Sequence, residues 1–175
     1  KRIVKLLSDK ARFLAVNAQT NSANTGYNLI TKYHRADYIC IDEPELRLAM
    51  HDKFSNLELL IEKFVKDGAY KNVTITRGHR GSLVYSSKKG FVQVPVFSKD
   101  VVDRIGAGDA YLSITSMAVA KGLPSEEVGF IGNAVGALAV QIERADVERD
   151  GSLHPFVDRA HEKLRKLLGE RLELL

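Results

Sequence analysis

The sequence predicts an α/β protein whose helices pack in layers against a mainly parallel β-sheet. Two segments each join a short apolar strand pattern to an amphipathic helix pattern, and two further β-rich segments are separated by a turn that predicts a hairpin. Only helical periodicity follows the hairpin. Strand–helix units of this kind are typical of a layered α/β domain, in which helices bury the faces of the sheet.

The chain is long enough to bury one sizeable hydrophobic core. Its 175 residues are 45% hydrophobic, which predicts a single domain or a large piece of one, and it begins at Lys1 without Met. The only cysteine, Cys40, cannot form an internal disulfide, which favours a reducing, cytoplasmic location. No apolar run approaches the ~20 residues of a membrane helix, so we expect no membrane association.

The charge pattern argues against nucleic-acid binding. The formal net charge of +4 comes from 26 Lys and Arg against 22 Asp and Glu. Much of the excess lies near the C-terminal end, at Lys163, Arg165, Lys166 and Arg171. Basic residues on a helical segment usually form a solvated face, and no aromatic residues are interleaved with them. The five histidines show no metal-ligand spacing, so no zinc site is predicted.

The first unit predicts a polar segment at the carboxyl end of a strand, where ligands bind in open α/β sheets. Residues 3–11 fit a helix and residues 13–16 fit a buried strand. The next segment carries asparagines at helical spacing, namely Asn17, Asn21, Asn24 and Asn28. On one helix face they could hold phosphate or metal-bound water, whereas a solvated turn is the alternative.

The second unit places acidic residues between a strand and a helix. Residues 36–41 fit a strand, and a helical pattern runs through Leu46, Leu48 and Ala49. Asp42, Glu43 and Glu45 lie between the two patterns, with Pro44 suited to the first helical turn. These acids either complement the helix dipole or orient a hydrated Mg²⁺ ion.

The middle of the chain predicts a helix, a strand and a hairpin. Apolar residues recur at helical spacing over residues 57–65, and Gly68 is expected to end that helix. Residues 72–76 and 82–85 read as strands joined by a turn, and residues 86–90 close a hairpin onto a strand at 91–95.

Two helical patterns follow residue 109. The first has a predicted buried stripe of Ala110, Ile114, Met117 and Ala118 and ends near Gly122. The second is expected to begin at the cap residue Ser125. It contains small residues, among them Gly129, Gly132 and Gly136. Because glycine is costly in a helix, another structural element or an adenine ring is expected to approach closely there. A last amphipathic helix is predicted from residue 156 to residue 172.

The segment before residue 110 reads as a phosphate site. Gly106 and Gly108 lack Cβ atoms, so the backbone can turn sharply and bring its N–H groups close to an anion at the start of a helix. Asp109, in the first turn, could accept a proton from a hydroxyl that attacks this anion. The alternative is that Asp109 only caps the helix and the glycines serve a tight connection.

Residues 103–110, Asp-Arg-Ile-Gly-Ala-Gly-Asp-Ala, resemble the second signature of the PfkB/ribokinase family of carbohydrate kinases. The resemblance covers about residues 13–142 and implies a ribokinase-like three-layer α/β/α fold and ATP-dependent phosphorylation of a sugar or sugar-phosphate hydroxyl. It also implies that the amides of Gly106, Ala107 and Gly108 hold the transferred phosphoryl group and that Asp109 is the catalytic base. Arg104 stands where the family commonly has Thr.

The same resemblance assigns cation sites. Asp42 and Glu45 match the family's Asn-x-x-Glu motif, with Asp in place of Asn, and would help to place Mg²⁺. Asp103 matches the position that helps to hold a monovalent cation such as K⁺.

The resemblance also assigns a nucleotide site. Residues 76–81 match the family's Thr-x-Gly-x-x-Gly segment, which lies against the ATP phosphates. A helix rich in small residues borders the base pocket, and the segment after the first strand lies near the phosphates. The residues implied to bind the nucleotide are therefore Thr76, Gly78, Gly81, Asn133, Gly136 and Asn17.

We find neither the family's first glycine signature nor its sugar-contacting residues in this chain. Residues 1–175 are therefore expected to be a single domain, the nucleotide-binding C-terminal part of a ribokinase-like kinase without the N-terminal sugar-binding part, and inactive as an isolated fragment. The Asn-rich segment and Tyr27 resemble the heptose-phosphate kinase branch, in which a kinase is also found fused to a nucleotidyltransferase. A homodimer is compatible with the resemblance. Two alternatives are a non-catalytic nucleotide-binding or assembly module, and a domain whose basic end binds an acidic partner.

Overall fold

A computed structural model describes residues 2–20, 23–96 and 107–148, with side chains described up to residue 139. The elements in chain order are α1 (Arg2–Lys10), β1 (Ala15–Val16), β2 (Tyr38–Asp42), α2 (Glu43–Ala49), α3 (Leu57–Gly68), β3 (Asn72–Thr76), β4 (Ser82–Ser86), β5 (Gly90–Val94), α4 (Ala107–Ala120) and α5 (Ser125–Glu148). Short 3₁₀ helices span Ile30–Lys32 and Gly78–Arg80. The predicted last helix and the first part of the phosphate motif, including Asp103 and Gly106, lie outside the described residues.

The five strands form one sheet in the order β1-β2-β3-β4-β5. Strands β1, β2 and β3 are parallel, and β4 and β5 continue the sheet as an antiparallel hairpin, as predicted. Asp42, at the end of β2, pairs with Thr76, at the end of β3. The carboxyl ends of the parallel strands therefore bring their following loops to one edge of the sheet, where open α/β sheets bind ligands.

Helices cover both faces of the sheet. Along β2, Ile39 and Ile41 pack in the core with residues of α2 and α3, whereas Tyr38 and Cys40 pack against Tyr111 of α4. Alternate side chains of one strand thus face two different helical layers, because successive Cβ atoms point to opposite faces. In the described part of the chain, no helix is both long enough and apolar enough to cross a membrane.

The predicted buried stripe of α4 is largely wrong. Its buried residues are Tyr111, Thr115 and Ala118, and Met117 is 59% exposed. The reason is that the buried face is partly polar: Tyr111 donates to Ser82 Oγ at 3.0 Å, and Tyr38 donates to Thr115 Oγ1 at 2.9 Å. Apolar periodicity alone does not detect a helix that docks through hydroxyl groups.

Helix α3 ends at Gly68, as predicted, but Gly68 is not the left-handed residue that follows the last turn. Ala69, and not Gly68, adopts the left-handed conformation that ends the helix, with a φ of 52°. A Cβ atom at Gly68 would lie 1.9 Å from the ring of Tyr70. The lack of a side chain at Gly68 therefore allows Tyr70 to pack against the helix, and Ala69 forms the turn that follows it.

Candidate active site

A cleft of about 500 Å³ opens at the carboxyl ends of the parallel strands. The loops after β1, β2 and β3, the first turn of α4 and one face of α5 line it. All the predicted site residues that the structure describes lie on its wall, namely Asn17, Asp42, Glu45, Thr76, Gly78, Gly81, Ala107, Gly108, Asp109, Asn133 and Gly136. Segments that are far apart in the sequence thus meet at a single site.

Asp109 is exposed in the first turn of α4 and is oriented by the loop after β1. Its Oδ1 accepts a hydrogen bond from Asn17 Nδ2 at 3.1 Å. In its described part the Asn-rich segment forms a turn at residues 23–27 and not a helix, and Asn24 and Asn28 both donate to the carbonyl of Gln19; Asn21 lies outside the described residues. The first N–H groups of a helix have no intrahelical acceptors, so the start of α4 offers donors to an anion beside Asp109.

Buried hydroxyl groups hold α4 in place against the sheet. The Tyr38 hydroxyl, which donates to Thr115, also shares a hydrogen bond with the hydroxyl of Thr74, at 3.0 Å between the oxygens. Burial raises the pKa values of Tyr38 and Tyr111, and it raises the pKa of Cys40 to about 12. These groups therefore stay protonated at neutral pH, and we assign them to positioning the helix that carries Asp109.

Asp42 and Glu45 form a capping box at the start of α2. Asp42 Oδ1 accepts from the Glu45 N–H at 2.7 Å, and Glu45 Oε2 accepts from the Asp42 N–H at 3.1 Å. Glu45 Oε1 also accepts from the Thr20 N–H at 3.0 Å, which ties the loop after β1 to this helix. Burial, with the nearby charge of Asp42, raises the pKa of Glu45 above its usual value.

This geometry gives the predicted acids a structural role and still fits a hydrated Mg²⁺ ion. A carboxylate has about four acceptor positions, so a capping carboxylate can also accept from water bound to the metal. Mg²⁺ usually keeps several waters and needs few direct protein ligands. In the described residues, no group of three or more His, Cys, Asp or Glu side chains could hold a metal directly. Water-mediated contact is therefore the arrangement that these residues suit.

Sequence reasoning missed a charge cluster on the same wall. Glu43 is buried and pairs with Arg47, Arg77 and Arg80. Burial alone would raise the pKa of Glu43, but the hydrogen bond from Arg47 and the charges of Arg80 and Arg47 outweigh it, so this pKa lies below its usual value. The i, i+4 spacing of Glu43 and Arg47 was the only signal of the cluster in the sequence. Arginines in turns are usually solvated, but both arginines of this turn are paired with Glu43.

The small residues of α5 have two different surroundings. Cβ atoms at Gly129 and Gly132 would lie 2.5 Å from Val94 and 2.2 Å from the ring of Tyr111, so these two glycines serve packing. The nearest atom to a Cβ at Gly136 would be Ala107 O at 4.0 Å, and Gly136 lines the cleft. Of these three glycines, Gly136 alone has space for a ligand beside it, as far as the described residues show.

Asn133 and Gly81 fix the chain where it leaves β5. Asn133 Nδ2 donates to the carbonyls of Val94 and Pro95 at 3.0 and 2.8 Å. Gly81 has a φ of +77°, and a Cβ there would lie 2.1 Å from Val94 O. Both residues line the cleft, but each also holds the backbone that leads towards the phosphate motif.

A family model described as pfkB family carbohydrate kinase matches residues 11–147. This chain belongs to the pfkB family of carbohydrate kinases. A curated relative is the bifunctional protein HldE of Proteus mirabilis, which is 33% identical over 84 residues, covering 46% of this chain and 18% of the relative. Carbohydrate kinase activity is therefore the general activity of the family to which this chain belongs.

Solved structures establish the ribokinase-like fold for this pfkB-family chain. Ribokinase from Thermotoga maritima matches with a TM-score of 0.63 and 22% identity over 85% of this chain and 47% of the ribokinase. Arabidopsis thaliana ribokinase, solved with ribose and ATP, matches with a TM-score of 0.64 and 18% identity over 87% of this chain and 46% of that protein. The chain thus spans about half the length of these structures, and its match spans less than a fifth of the HldE protein.

Proposed function

We propose that this pfkB-family protein, in its full length, transfers the γ-phosphoryl group of ATP to a hydroxyl of a sugar or sugar phosphate. In this proposal residues 1–175 are one domain that supplies the nucleotide site and the catalytic base, and the sugar-binding part comes from outside them. The observation that carries the proposal is the position of Asp109, exposed on the cleft wall in the first turn of α4. The complex of Arabidopsis ribokinase with ribose and ATP provides support by family relation.

Asp109 has the contacts that a general base needs. Asn17 engages Oδ1, and Oδ2 has no hydrogen-bond partner among the described residues. Oδ2 would take the proton of the sugar hydroxyl while that oxygen forms a bond to the γ-phosphorus. The bond from the γ-phosphorus to the bridging oxygen breaks, and ADP leaves with the electron pair. Such transfers depend mainly on positioning and charge neutralisation.

The start of α4 would neutralise the charge of the transferred group. The amides of Ala107 and Gly108 lie at the positive end of the helix dipole, and among the described residues no atom outside the helix backbone and the chain neighbours lies within 4 Å of a Cβ built on Gly108. A phosphoryl oxygen can therefore approach this backbone closely. Gly106 and the cation ligand Asp103 remain sequence-based proposals, because they lie outside the described residues.

The remaining wall residues would hold the rest of the nucleotide. Thr76 and Gly78 would contact its phosphates, and Gly136 would border the base. Mg²⁺, when bound with ATP, would neutralise the phosphate oxygens, and Asp42 and Glu45 would hold its water molecules.

Incubation of the full-length protein with Mg·ATP and a panel of sugars and sugar phosphates tests the proposal. We expect ADP release that depends on one acceptor class, together with an acceptor that gains one phosphoryl group by mass spectrometry. The panel includes heptose phosphates, because the sequence resembles the heptose-phosphate kinase branch of the family. Nucleotide binding without turnover on any acceptor would instead favour the non-catalytic module.

A further inference from the structure

We propose that the contact between Thr20 and Glu45 positions the base of the reaction. The contact holds residues 17–20 in the place where the Asn17 side chain meets Asp109. This inference rests on the proposed function, because it names positioning residues for the same phosphoryl transfer. In this role neither Thr20 nor Glu45 touches the reacting atoms, and both act on the base through Asn17.

The segment of residues 17–20 lies beyond the support of the sheet. Its strand, β1, has two residues and lies at one end of the described sheet, and the last pair that joins it to β2 is Val16 with Ile39. Within the segment, Ala18 is buried in the core, but its side chain is a single methyl group. The orientation of Asn17 therefore depends on the other contacts of the segment.

Side-chain hydrogen bonds join this segment to the starts of two helices. At one end, Asn17 Nδ2 donates to Asp109 Oδ1 of α4 at 3.1 Å. At the other end, the Thr20 N–H donates to Glu45 Oε1 of α2 at 3.0 Å. The two ends are three residues apart, which is at most ~10 Å of extended chain. A displacement of Thr20 is therefore passed on to Asn17.

Glu45 is a suitable anchor because its own carboxylate is fixed. Its second oxygen, Oε2, accepts from the Asp42 N–H at 3.1 Å, and Asp42 Oδ1 accepts from the Glu45 N–H at 2.7 Å. Asp42 in turn pairs with Thr76 at the ends of two parallel strands. The central sheet thus sets the position of Thr20 through the cap of α2.

A purely structural contact and a positioning contact have different consequences. If the contact of Thr20 with Glu45 is only structural, its loss lowers stability and leaves the bond between Asn17 and Asp109 intact. If the contact positions the base, its loss weakens that bond. The rate of phosphoryl transfer then falls while the affinity for ATP is kept.

NMR on the full-length protein, without nucleotide or Mg²⁺, tests the bond independently of activity. The probe is the side-chain amide signal of Asn17, assigned by its loss in Asn17→Ala. Asp109→Asn should move this signal in the wild-type background. The movement should shrink by roughly half or more in Thr20→Pro, which removes the N–H donor, and in Glu45→Ala, which removes the acceptor.

Two control variants keep the contact. Thr20→Ser retains the N–H donor. Asp52 is the matched carboxylate, because it also accepts from backbone N–H groups of a loop, those of Phe54 and Ser55, but lies outside the cleft wall. In Thr20→Ser and in Asp52→Ala the Asn17 signal should respond to Asp109→Asn as it does in the wild type.

Single-turnover kinetics, with ATP affinity measured alongside, tests the effect on the reaction. Thr20→Pro should slow phosphoryl transfer about tenfold or more, because small displacements of reacting groups are costly, and should keep ATP affinity within about twofold. In the Asn17→Ala background, Thr20→Pro should cause less than about twofold further loss, because both changes act through one bond. Thr20→Ser should restore the wild-type rate.

The proposal is overturned if the Asn17 signal responds to Asp109→Asn as strongly in Thr20→Pro and Glu45→Ala as in the wild type. It is also overturned if the rate loss of Thr20→Pro adds in full to that of Asn17→Ala. A wild-type protein that phosphorylates no acceptor but shows the expected signals would uphold the positioning of Asn17 and refute the kinase function. If Thr20→Pro does not fold, Glu45→Ala decides the NMR test, because it breaks the same contact from its other end.

Discussion

Asn17 and Asp109 are 92 positions apart in the sequence, and their side chains are joined by a hydrogen bond of 3.1 Å. The bond links the loop after β1 to the first turn of α4. It engages Oδ1 of the proposed base and leaves Oδ2 without a hydrogen-bond partner among the described residues. We infer that Asn17 orients Asp109, in addition to its predicted place near the phosphates.

Replacement of Asn17 by Asp should move the pH dependence of phosphoryl transfer. Two adjacent carboxylates hold a shared proton up to a higher pH, so the acidic limb of the kcat/KM profile should shift upwards by roughly one unit. Asn17→Ala should lower kcat without this shift, because it removes the orienting donor and adds no charge. An unchanged profile in Asn17→Asp would show that the side chain does not act on the base.

Gly108→Ala separates a phosphate-binding role from a structural one. In the part of the chain that the structure describes, the added Cβ meets no atom within 4 Å beyond its chain neighbours and the helix backbone, and alanine is favoured over glycine in a helix by up to about 1 kcal/mol. We expect an unchanged or higher melting temperature and a fall in kcat/KM of at least about tenfold, because the methyl group occupies the space of a phosphoryl oxygen. A variant that is as active as the wild type would contradict the anion site at this turn.

Two glycines of α5 should respond in opposite ways to the same substitution. Gly132→Ala drives a Cβ into the ring of Tyr111, at 2.2 Å, and should lower the free energy of unfolding by about 1–3 kcal/mol. The Cβ added by Gly136→Ala lies at the cleft wall and has no close contact with a described residue. The free energy of unfolding should therefore stay unchanged, while the affinity for ATP falls. Thermal melts and ATP titrations of both variants check this, and equal ATP affinity in Gly136→Ala and wild type would remove Gly136 from the nucleotide wall.

Glu43 and Glu45 should give opposite pH dependences of stability. The lowered pKa of Glu43 means that its ionised form stabilises the fold above its usual pKa of 4.5, and this stabilisation is lost as the pH falls through its folded-state value. The raised pKa of Glu45 means that its ionisation costs stability as the pH rises from 4.5 through its folded-state value. Glu43→Gln should therefore lower the melting temperature, relative to wild type, more at pH 7 than at pH 3.5. For Glu45→Gln, the melting temperature relative to wild type should increase from pH 3.5 to pH 7. Melting temperatures measured without Mg²⁺ at these pH values test both expectations. If both variants show the same pH dependence as the wild type, the opposite pKa shifts of Glu43 and Glu45 are contradicted.

The sequence predicts elements that have strong local signals. The hairpin of β4 and β5 follows from turn residues between apolar runs, and Gly108 and Asp109 are recognisable from their spacing before a helix. The partners of these residues are not predictable in the same way. The pairs of Asn17 with Asp109 and of Glu43 with Arg80 depend on which loops the sheet order brings together. The buried face of α4 was missed because Thr115 is polar and becomes buried only through its hydroxyl partners.

The single-turnover rate of phosphoryl transfer in Asp109→Asn, with ATP affinity measured alongside, is the most direct test of Asp109 as the base. The variant keeps the shape and the exposed position of the side chain but removes a strong proton acceptor. We predict a rate at least about 10²-fold below wild type, with ATP affinity and melting temperature unchanged. Transfer at the wild-type rate would contradict the proposed role of Asp109.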